Sequence, residues 1–347
     1  MTIRDVARAA GVSIATASRA LNQSSLVAAG TRATVRAAAE RLHYSPHAGA
    51  RSLITSRTHT IGVLLPDLYG EFFSEIIRGI DQRVQREGYH CLISSARHGG
   101  PSLEAALRSM RGRVDGMVLM SPEFTGELSR RTLPAGFPVV LLNSAPTDLP
   151  HASLTVANFE GARAMVRHLA GLGHRRIALI RGAEGNFDAA ERRRGYRAAL
   201  AEAGLAPAPE LEIPGDFSES AGVAAARALL ALPDRPTAIF AANDGMAIGA
   251  LFALRDAGFR VPEDIGIGGF DDIPMARYVE PALTSVHVDI SALGERAATR
   301  LLSALEGTSA PDLRRETLPT TLVVRRSCGA RSSRLLPDRT SPSEDAV

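Results

Sequence analysis

Two short segments with helical apolar spacing, joined by Gly11-Val12-Ser13, restrict the start of the chain to a small helical domain. Gly11 gives the backbone the freedom for a sharp turn, and Ser13 is a favourable N-cap for the second segment. In the first segment Thr2 and Asp5 have the spacing of a capping box, which stabilises a helix start. The pattern therefore predicts a helix-turn-helix.

A third helix is predicted from Thr31 to Leu42, with Thr31 as its N-cap. Apolar residues at helical spacing would complete a three-helix core, and they are Val35, Ala38, Ala39 and Leu42. The second helix, which ends at Leu21, would then expose its N-terminal and outer side. These are the positions that meet base edges and phosphates when such a helix enters a major groove.

Charge is unevenly distributed along the chain. Residues 1–60 contain eight Arg against Asp5 and Glu40, a net charge of +6, whereas the whole chain carries +3 and the remainder therefore −3. A basic end on a mildly acidic body suits a protein that binds a polyanion, because neutralised phosphates release counterions. An ordinary helical domain with solvated charges is the alternative.

The composition argues against most enzyme classes. The forty basic residues are all Arg, so the chain has no Lys for a P-loop, a Schiff base or pyridoxal attachment. It contains no G-x-S-x-G or H-E-x-x-H motif, and Cys91 and Cys328 are too few for a disulfide framework or a Cys-rich metal site. We therefore expect no catalytic residue, no cofactor and no metal.

The chain shows neither an opening apolar signal segment nor a run of about 18 apolar residues, so a soluble, cytoplasmic protein without a membrane partner is expected. Its 347 residues exceed one ordinary domain, and a hydrophobic content of 45% can bury a sizeable core. Residues 328–347 are rich in Ser, Arg, Pro and Asp and are expected to be disordered.

From residue 61 short apolar runs alternate with amphipathic segments, which is typical of parallel α/β domains. Predicted strands lie at 61–66, 91–96, 117–120, 139–143, 177–180, 238–242, 265–270 and 317–324. Predicted helices lie at 71–87, 101–110, 159–171, 189–203, 219–231, 246–257 and from Asp289 to about Ala304. Two doubly wound halves imply a cleft, with ligands beyond the carboxyl ends of the strands.

Polar and aromatic residues collect at those strand ends, and they are Asp67, Phe72, Phe73, Asn143, Asn243, Asp244, Asp271 and Asp272. Aromatic faces stack on the C–H face of a sugar while charged groups bond its hydroxyls, and the same set also suits a nucleobase. One of the adjacent rings Phe72 and Phe73 is expected to contact the ligand. Asp272 is expected to be structural.

Residues 1–45, here called the headpiece, and the segment after them resemble the lactose-repressor (LacI/GalR) family of bacterial transcription regulators. The motifs that carry the resemblance keep the family's order and spacing: Ile3-Arg4-Asp5-Val6-Ala7, the run from Gly11 to Asn22, Tyr44-Ser45-Pro46 and Ala50-Arg51-Ser52-Leu53. The resemblance implies DNA contacts at Thr2, Ser13, Ile14, Ala15, Thr16, Ser18, Arg19, Asn22, Tyr44, Ala50, Arg51 and Leu53.

Ile14 and Ala15 match the positions that choose the operator sequence in that family. Both are apolar, so they can touch thymine methyl groups but cannot donate a hydrogen bond to a base edge. Arg19 is then the predicted base reader, with guanine as its partner. A phosphate contact, which fixes position without reading sequence, is the alternative for Arg19.

The segment from Pro46 to Leu53 matches the family's hinge helix, which folds only when two subunits sit on DNA. The resemblance implies that Leu53 wedges into the minor groove and kinks the duplex, and packing of Leu53 on the core is the alternative. Gly49 stands where the family commonly has a larger apolar residue and costs a helix about 1 kcal/mol relative to Ala. Weakened hinge folding is therefore expected.

The rest of the chain resembles the type I periplasmic-binding-protein-like core of the same family, through motifs such as Gly173-His174-Arg175-Arg176-Ile177, Ala242-Asn243-Asp244 and Gly269-Phe270-Asp271-Asp272. The resemblance implies three crossovers between two doubly wound subdomains. It implies effector contacts at Asp67, Phe72, Phe73, Asn143, Arg192, Phe217, Asn243, Asp244 and Asp271.

Two sites depart from the family's pattern. Asn143-Ser144 stands where many relatives have Asp-Arg, and Ala157-Asn158 where they commonly have Asp-Asn. Because Arg192, Arg193 and Arg194 are adjacent on a helix, at most one of them is expected to face the cleft.

These observations predict an all-α helix-turn-helix headpiece (1–45), a hinge helix and linker (46–60), an α/β effector-binding and dimerisation core (61–327) and a tail (328–347). The predicted function is a repressor that binds a pseudo-palindromic operator as a homodimer, with a tetramer left open, under the control of a small-molecule effector. A sugar or sugar acid is the predicted effector, and a purine or nucleoside is the alternative. A stand-alone solute-binding protein and an enzyme are the weaker alternatives.

Overall fold

The computed structural model describes residues 1–22, 26–44, 57–96, 100–145, 151–307 and 315–329. The chain divides into two compact units. The first comprises Met1–Thr60 with Gly112–Asp115, and the second comprises Ile61–Arg111 with the chain from Gly116 onward.

The first unit contains the three predicted helices α1 (Ile3–Ala9), α2 (Ile14–Leu21) and α3 (Ala29–Arg41). The backbone N–H and the hydroxyl of Thr2 both donate to Asp5 Oδ2 at 2.9 Å. Ser13 Oγ accepts from the backbone N–H of Thr16 at 3.0 Å, and Gly11 adopts a φ of +64° in the turn. The helix-turn-helix prediction is therefore confirmed in its caps and its turn.

The predicted start of the third helix was wrong. Helix α3 begins at Ala29, two residues before Thr31, and its N-cap Ala28 offers no side-chain hydrogen bond. Val27 lies in the small apolar core with Val35, so packing rather than capping sets where the helix begins. The other buried members of this core are Val6, Ala7, Ala17, Ala20, Ala38 and Ala39.

The second unit contains two six-stranded sheets, and each sheet with its helices forms one lobe. The first lobe has the strand order β11-β5-β4-β3-β1-β2. The strand pairs β1–β3, β3–β4, β4–β5 and β5–β11 are parallel. Its first elements are β1 (Thr60–Leu65), α4 (Glu71–Gln85), β2 (His90–Ser95), α5 (Gly100–Met110), β3 (Gly116–Leu119), α6 (Gly126–Thr132), β4 (Val139–Leu142) and β5 (Ala152–Val156).

The second lobe has the strand order β12-β10-β9-β8-β6-β7, with β12 antiparallel to β10 and the other pairs parallel. Its elements are α7 (Asn158–Gly171), β6 (Ile177–Ile180), α8 (Phe187–Glu202), β7 (Glu212–Ile213), α9 (Glu219–Leu230), β8 (Ala238–Ala241), α10 (Asp244–Asp256), β9 (Gly266–Asp271) and β10 (Thr284–His287). Short 3-10 turns lie at Pro209–Leu211 and Pro274–Arg277.

The end of the chain returns to both lobes. Helix α11 (Ile290–Leu305) packs against α4 in the first lobe. The predicted single strand at 317–324 was wrong, because two strands occupy this stretch: β11 (Arg315–Leu318) joins the first sheet and β12 (Thr321–Val323) joins the second. Pro319 separates them, since proline has no N–H for a sheet ladder.

The chain therefore passes between the lobes three times, after β5, after β10 and between β11 and β12. Two of these passages touch: Thr320 Oγ1 donates to the carbonyl oxygen of Ala157 at 3.3 Å. The described helices include none that is both long enough and apolar enough to cross a membrane.

Helices α4 and α11 approach each other through glycine. A Cβ atom placed on Gly294 would lie 2.3 Å from the carbonyl oxygen of Ile76, and one placed on Gly79 would lie 2.0 Å from that of Ser291. No larger residue fits at these two positions without moving the helices apart.

Candidate DNA-binding and effector-binding sites

The exposed face of α2 carries most of the residues predicted to contact DNA. Five of them are exposed, namely Ser13, Ile14, Ala15, Arg19 and Asn22, and Thr16 and Ser18 are half-buried. Ile14 is 47% exposed although it is apolar, while Ala17 and Ala20 on the opposite side are buried. An exposed isoleucine at the start of a helix offers a hydrophobic surface for contact with a partner molecule.

The remaining DNA-contact predictions divide into two groups. Thr2 is exposed and its polar groups bond Asp5, whereas Tyr44 is half-buried against the headpiece core. Ala50, Arg51 and Leu53 lie outside the described residues, together with Gly49, so the hinge stays a prediction.

A chain of four buried side chains lies in the second lobe. Arg192 Nε donates to Asn158 Oδ1 at 2.8 Å, and Asn158 Nδ2 donates to Asp188 Oδ1 at 2.8 Å. At the other end of the guanidinium, Arg192 Nη2 donates to Asp271 Oδ1 at 3.1 Å. We call these four residues the polar cluster. Asp271 ends β9, and the other three project from α7 and α8.

The guanidinium of Arg192 is fixed on several sides. It stacks 3.7 Å from the ring centroid of Phe270, and its Nη1 donates to the carbonyl oxygen of Ala242. Its neighbours point elsewhere: Arg193 bonds Glu212, and Arg194 bonds Glu191. Of these three adjacent arginines, Arg192 is therefore the one that bonds within the polar cluster.

Burial dominates the electrostatics of the cluster. It raises the pKa of Asp188 to about 6 and that of Asp271 to about 6, because a desolvated carboxylate is disfavoured. Arg192 opposes the shift in both cases. The two carboxyl groups thus titrate close to neutral pH, which is a common property of functional sites.

Asp244 and Asp272 support the turn that follows β9. Asp244 is fully buried, its Oδ1 accepts from Ser285 Oγ at 2.6 Å, and its Oδ2 accepts from the backbone N–H of Ile273 at 2.9 Å. Asp272 Oδ1 lies 2.6 Å from Arg325 Nη2, and its Oδ2 lies 3.1 Å from His287 Nδ1. Each oxygen of Asp244 thus accepts one hydrogen bond that holds the turn, and its predicted contact with an effector stays a prediction.

Aromatic residues predicted at the effector site occupy both lobes. Phe217 packs so closely on Gly182 that a Cβ there would lie 2.2 Å from its ring, and Asn243 Nδ2 donates to the carbonyl oxygen of Phe217 at 2.9 Å. Asn243 Oδ1 also caps α10. In the first lobe Phe72 and Phe73 are both half-buried, with their rings 5.5 Å apart in an edge-to-face arrangement.

Two polar residues follow strands of the first lobe. Asp67 after β1 is exposed, and its Oδ1 accepts from the N–H groups of Leu68 and Tyr69. Asn143 after β4 is only 7% exposed, and its Oδ1 and Nδ2 are both buried without a hydrogen-bond partner among the described residues. A buried amide without partners is costly, which makes Asn143 a candidate ligand contact.

Strained backbone coincides with these positions. Asn143, Phe217 and Asp271 have φ values of +46°, +75° and +104°. Such conformations cost about 1 to 3 kcal/mol each in non-Gly residues and cluster at binding sites.

Sequence reasoning identified Arg192 and Asp271 but missed Asp188, which the polar cluster includes. It noted Asn158 only as the neighbour of Ala157, which departs from the family's pattern. Asp188 could have been found from its place in the chain, because it lies in the first turn of a helix that follows a buried strand.

Residues 2–47 match the model of bacterial regulatory proteins of the lacI family, and residues 166–328 match that of a periplasmic binding protein-like domain. The ribose operon repressor of Escherichia coli K12 is 36% identical over 326 residues, covering 93% of this chain and 98% of the repressor. The chain belongs to the lacI family of bacterial regulatory proteins.

Further lacI-family relatives agree. The HTH-type transcriptional repressor PurR of Erwinia tasmaniensis is 37% identical over 329 residues, covering 94% of this chain and 96% of PurR. A lac repressor dimer bound to operator and the anti-inducer ONPF matches with a TM-score of 0.85 and 31% identity, covering 95% of this chain and 99% of that one. A lacI-family regulator from Enterococcus faecium with bound ribose matches with a TM-score of 0.71 and 28% identity, covering 77% and 98%.

As a lacI-family member this chain is a DNA-binding transcriptional repressor controlled by an effector, with a helix-turn-helix headpiece and a periplasmic-binding-protein-like core. The sequence-based predictions of family, fold class and general function are confirmed.

Proposed function

We propose that this chain acts in the cytoplasm as a homodimeric repressor whose two α2 helices enter successive major grooves of a pseudo-palindromic operator. The exposed α2 face with Ile14 and Arg19 supports the DNA contact, and the operator-bound lac repressor dimer supports the assembly. The proposed division of the chain is a headpiece to residue 45, a hinge and linker to 60, a core to 327 and a tail.

The effector is proposed to be a sugar bound at the carboxyl ends of the strands. The polar cluster carries this proposal: Arg192 has five N–H donors, and three of them donate to described residues, which leaves two that can bond a ligand. Asp271 offers an oxygen beside them. Alternating donors and acceptors suit the vicinal hydroxyl groups of a sugar. The similarity of the chain to the ribose operon repressor and to the ribose-bound regulator also supports a sugar effector.

A purine or nucleoside is the second candidate. It is favoured by the half-buried rings Phe72, Phe73 and Phe217, which suit stacking on a flat base, and by the similarity to PurR. Neither candidate requires turnover, and we propose that the chain is not an enzyme, in keeping with its repressor relatives.

Effector binding is proposed to change the affinity for the operator by changing the arrangement of the lobes and, through it, the segment from Pro46 to Leu53. A ligand shifts such an equilibrium only by its differential affinity for the two arrangements of the lobes. Replacing Leu53 with Ala should weaken operator binding and leave effector binding near normal, whereas equal loss of both would argue against a hinge.

Selection of duplexes from a random DNA library by the purified full-length protein tests the proposed function. Enrichment of one pseudo-palindrome supports it, and enrichment of no sequence contradicts it once each sugar and purine probe has been added in turn.

The variant Arg19→Ala tests whether Arg19 reads a base. If it does, the variant should lose about 1 to 3 kcal/mol of discrimination at a single base pair of the operator. Weaker binding to all sequences alike would instead identify a phosphate contact. The matched control is Arg36→Ala, which removes an exposed arginine of α3.

A further inference from the structure

The polar cluster leaves two carboxylate oxygens that a ligand could bond. Asp188 and Asp271 each use Oδ1 within the protein, and the second oxygen of each has no hydrogen bond with a described residue. A carboxylate oxygen accepts hydrogen bonds and donates none. A ligand that fills these two positions must therefore bring donors.

The charge balance points the same way. Arg192 is the cation bonded within the cluster, against Asp188 and Asp271. These three groups carry one more negative than positive charge when both carboxyls are ionised. Asp244 beside Asp271 adds little to this balance, because burial raises the pKa of its carboxyl well above the usual range. Asp272 is paired with Arg325 and His287, so it does not alter this balance.

The first lobe adds an independent observation. Asn143 presents a buried Oδ1 that needs a donor and a buried Nδ2 that needs an acceptor. A hydroxyl group can serve both, since it donates one hydrogen bond and accepts others, whereas a carboxylate or phosphate oxygen serves Nδ2 alone.

We infer that the effector is an uncharged polyhydroxyl compound rather than a sugar acid or sugar phosphate, and that Asp188 and Asp271 accept hydrogen bonds from two of its hydroxyl groups. This inference rests on the proposed effector site and adds Asp188 to it. Asp188 is 4% exposed and sits in the first turn of α8, where it is held by Asn158 rather than by a countercharge of its own. An anionic ligand would bring a third negative charge beside the two carboxylates.

Calorimetric titration of the full-length protein with matched probes tests the inference. The panel pairs D-ribose with D-ribonate and D-ribose 5-phosphate, and D-glucose with D-gluconate and D-glucose 6-phosphate, and adds cellobiose and hypoxanthine. Binding of a neutral sugar, with its anionic partners at least tenfold weaker, supports the inference. Tighter binding of an anionic partner, binding of hypoxanthine alone, or binding of no neutral sugar overturns it. None of these results bears on operator selection, so the proposed DNA-binding function stands or falls separately.

The variant Asp188→Asn tests the role of the residue itself. Asparagine keeps an oxygen for Asn158 and removes the charge, so the fold should survive, and thermal unfolding checks this. Loss of a hydrogen bond to a charged group should weaken the neutral sugar about tenfold to hundredfold. The ratio of neutral to anionic affinity should fall as well, because one repelling carboxylate is gone. Equal weakening of both probes would show that Asp188 is merely structural.

Glu191→Gln is the matched control for that variant. It makes the same chemical change one turn later on α8, where Glu191 bonds Arg194 at the surface. Its neutral-to-anionic ratio should equal that of the unaltered protein.

Discussion

The backbone N–H of Met275 donates a hydrogen bond to Glu71 Oε2 at 2.8 Å. Glu71 begins α4 in the first lobe, and Met275 lies in the 3-10 turn after β9 in the second, so this bond joins the lobes across the cleft. It lies at the same ends of the strands as Asp271 and the aromatic residues of the proposed effector site.

Replacing Glu71 with Ala should favour separation of the lobes. The bond contributes about 1 kcal/mol, so amide exchange at Met275 should accelerate several-fold. Hydrogen exchange read by mass spectrometry checks this, with a small increase in the radius of gyration from solution scattering. Glu75→Ala, on the same helix and bonded to Arg78, serves as the control. Unchanged exchange at Met275 would show that the bond does not hold the lobes together.

Replacing Arg192 with Met should destabilise the core strongly. Removal of one member of a buried ion pair leaves the other uncompensated and costs about 3 to 5 kcal/mol. Urea unfolding measures the loss, and the double variant Arg192→Met with Asp271→Asn should recover part of it. Arg194→Met, which breaks a more exposed pair with Glu191, should cost less than about 1 kcal/mol. Equal losses in the two single variants would be inconsistent with the buried pair.

The contribution of Asp188 and Asp271 to the stability of the core should fall as the pH rises from about 4 to about 6. The folded-state pKa values of Asp188 and Asp271 are raised from 3.8 to about 6, so in this window the folded protein binds more protons than the unfolded chain. Their protonation therefore favours the folded state below about pH 4, and that stability is lost as the pH reaches 6. In Asp188→Asn the free energy of unfolding should change less steeply across the window. Glu191→Gln should alter the slope far less, because Glu191 is the smallest of the named influences on the pKa of Asp188.

Replacing Gly294 with Ala should destabilise the first lobe by about 1 to 3 kcal/mol. The added methyl group would overlap the carbonyl oxygen of Ile76 and push α4 and α11 apart. Gly171→Ala is the contrasting variant, since a Cβ there meets nothing within 4 Å and gains up to about 1 kcal/mol of helix propensity. Thermal unfolding should shift in opposite directions for the two changes. A shift in the same direction would contradict the close packing.

Much of the architecture could be predicted from sequence because the signals are local. The caps at Thr2 and Ser13, the turn at Gly11 and the apolar run Ile177–Ile180 are properties of a few adjacent residues, and the structure has them where the sequence predicts them. The elements that were not predicted, β5, β7, β10 and α6, are short and depend on neighbours distant in the chain.

The polar cluster shows why a site is harder to predict. The positions of Arg192 and Asp271 follow from family motifs, but the link through Asn158 to Asp188 depends on how α7 packs against α8. The same limit applies to Asp244. Its motif indicates a binding residue, whereas only the fold shows that its two oxygens also bond Ser285 and the backbone of Ile273.

Both sheets take an edge strand from the last residues that the structure describes, β11 for one and β12 for the other. During synthesis the first sheet cannot be completed until Leu318 has left the ribosome, and the second sheet not until Val323 has, although the headpiece helices emerge much earlier. Because domains generally fold in order as they are synthesised, the DNA-binding headpiece can fold before the effector-binding core is complete. A chain cut short before Arg315 would keep its DNA-binding helices and leave both sheets with unpaired edges.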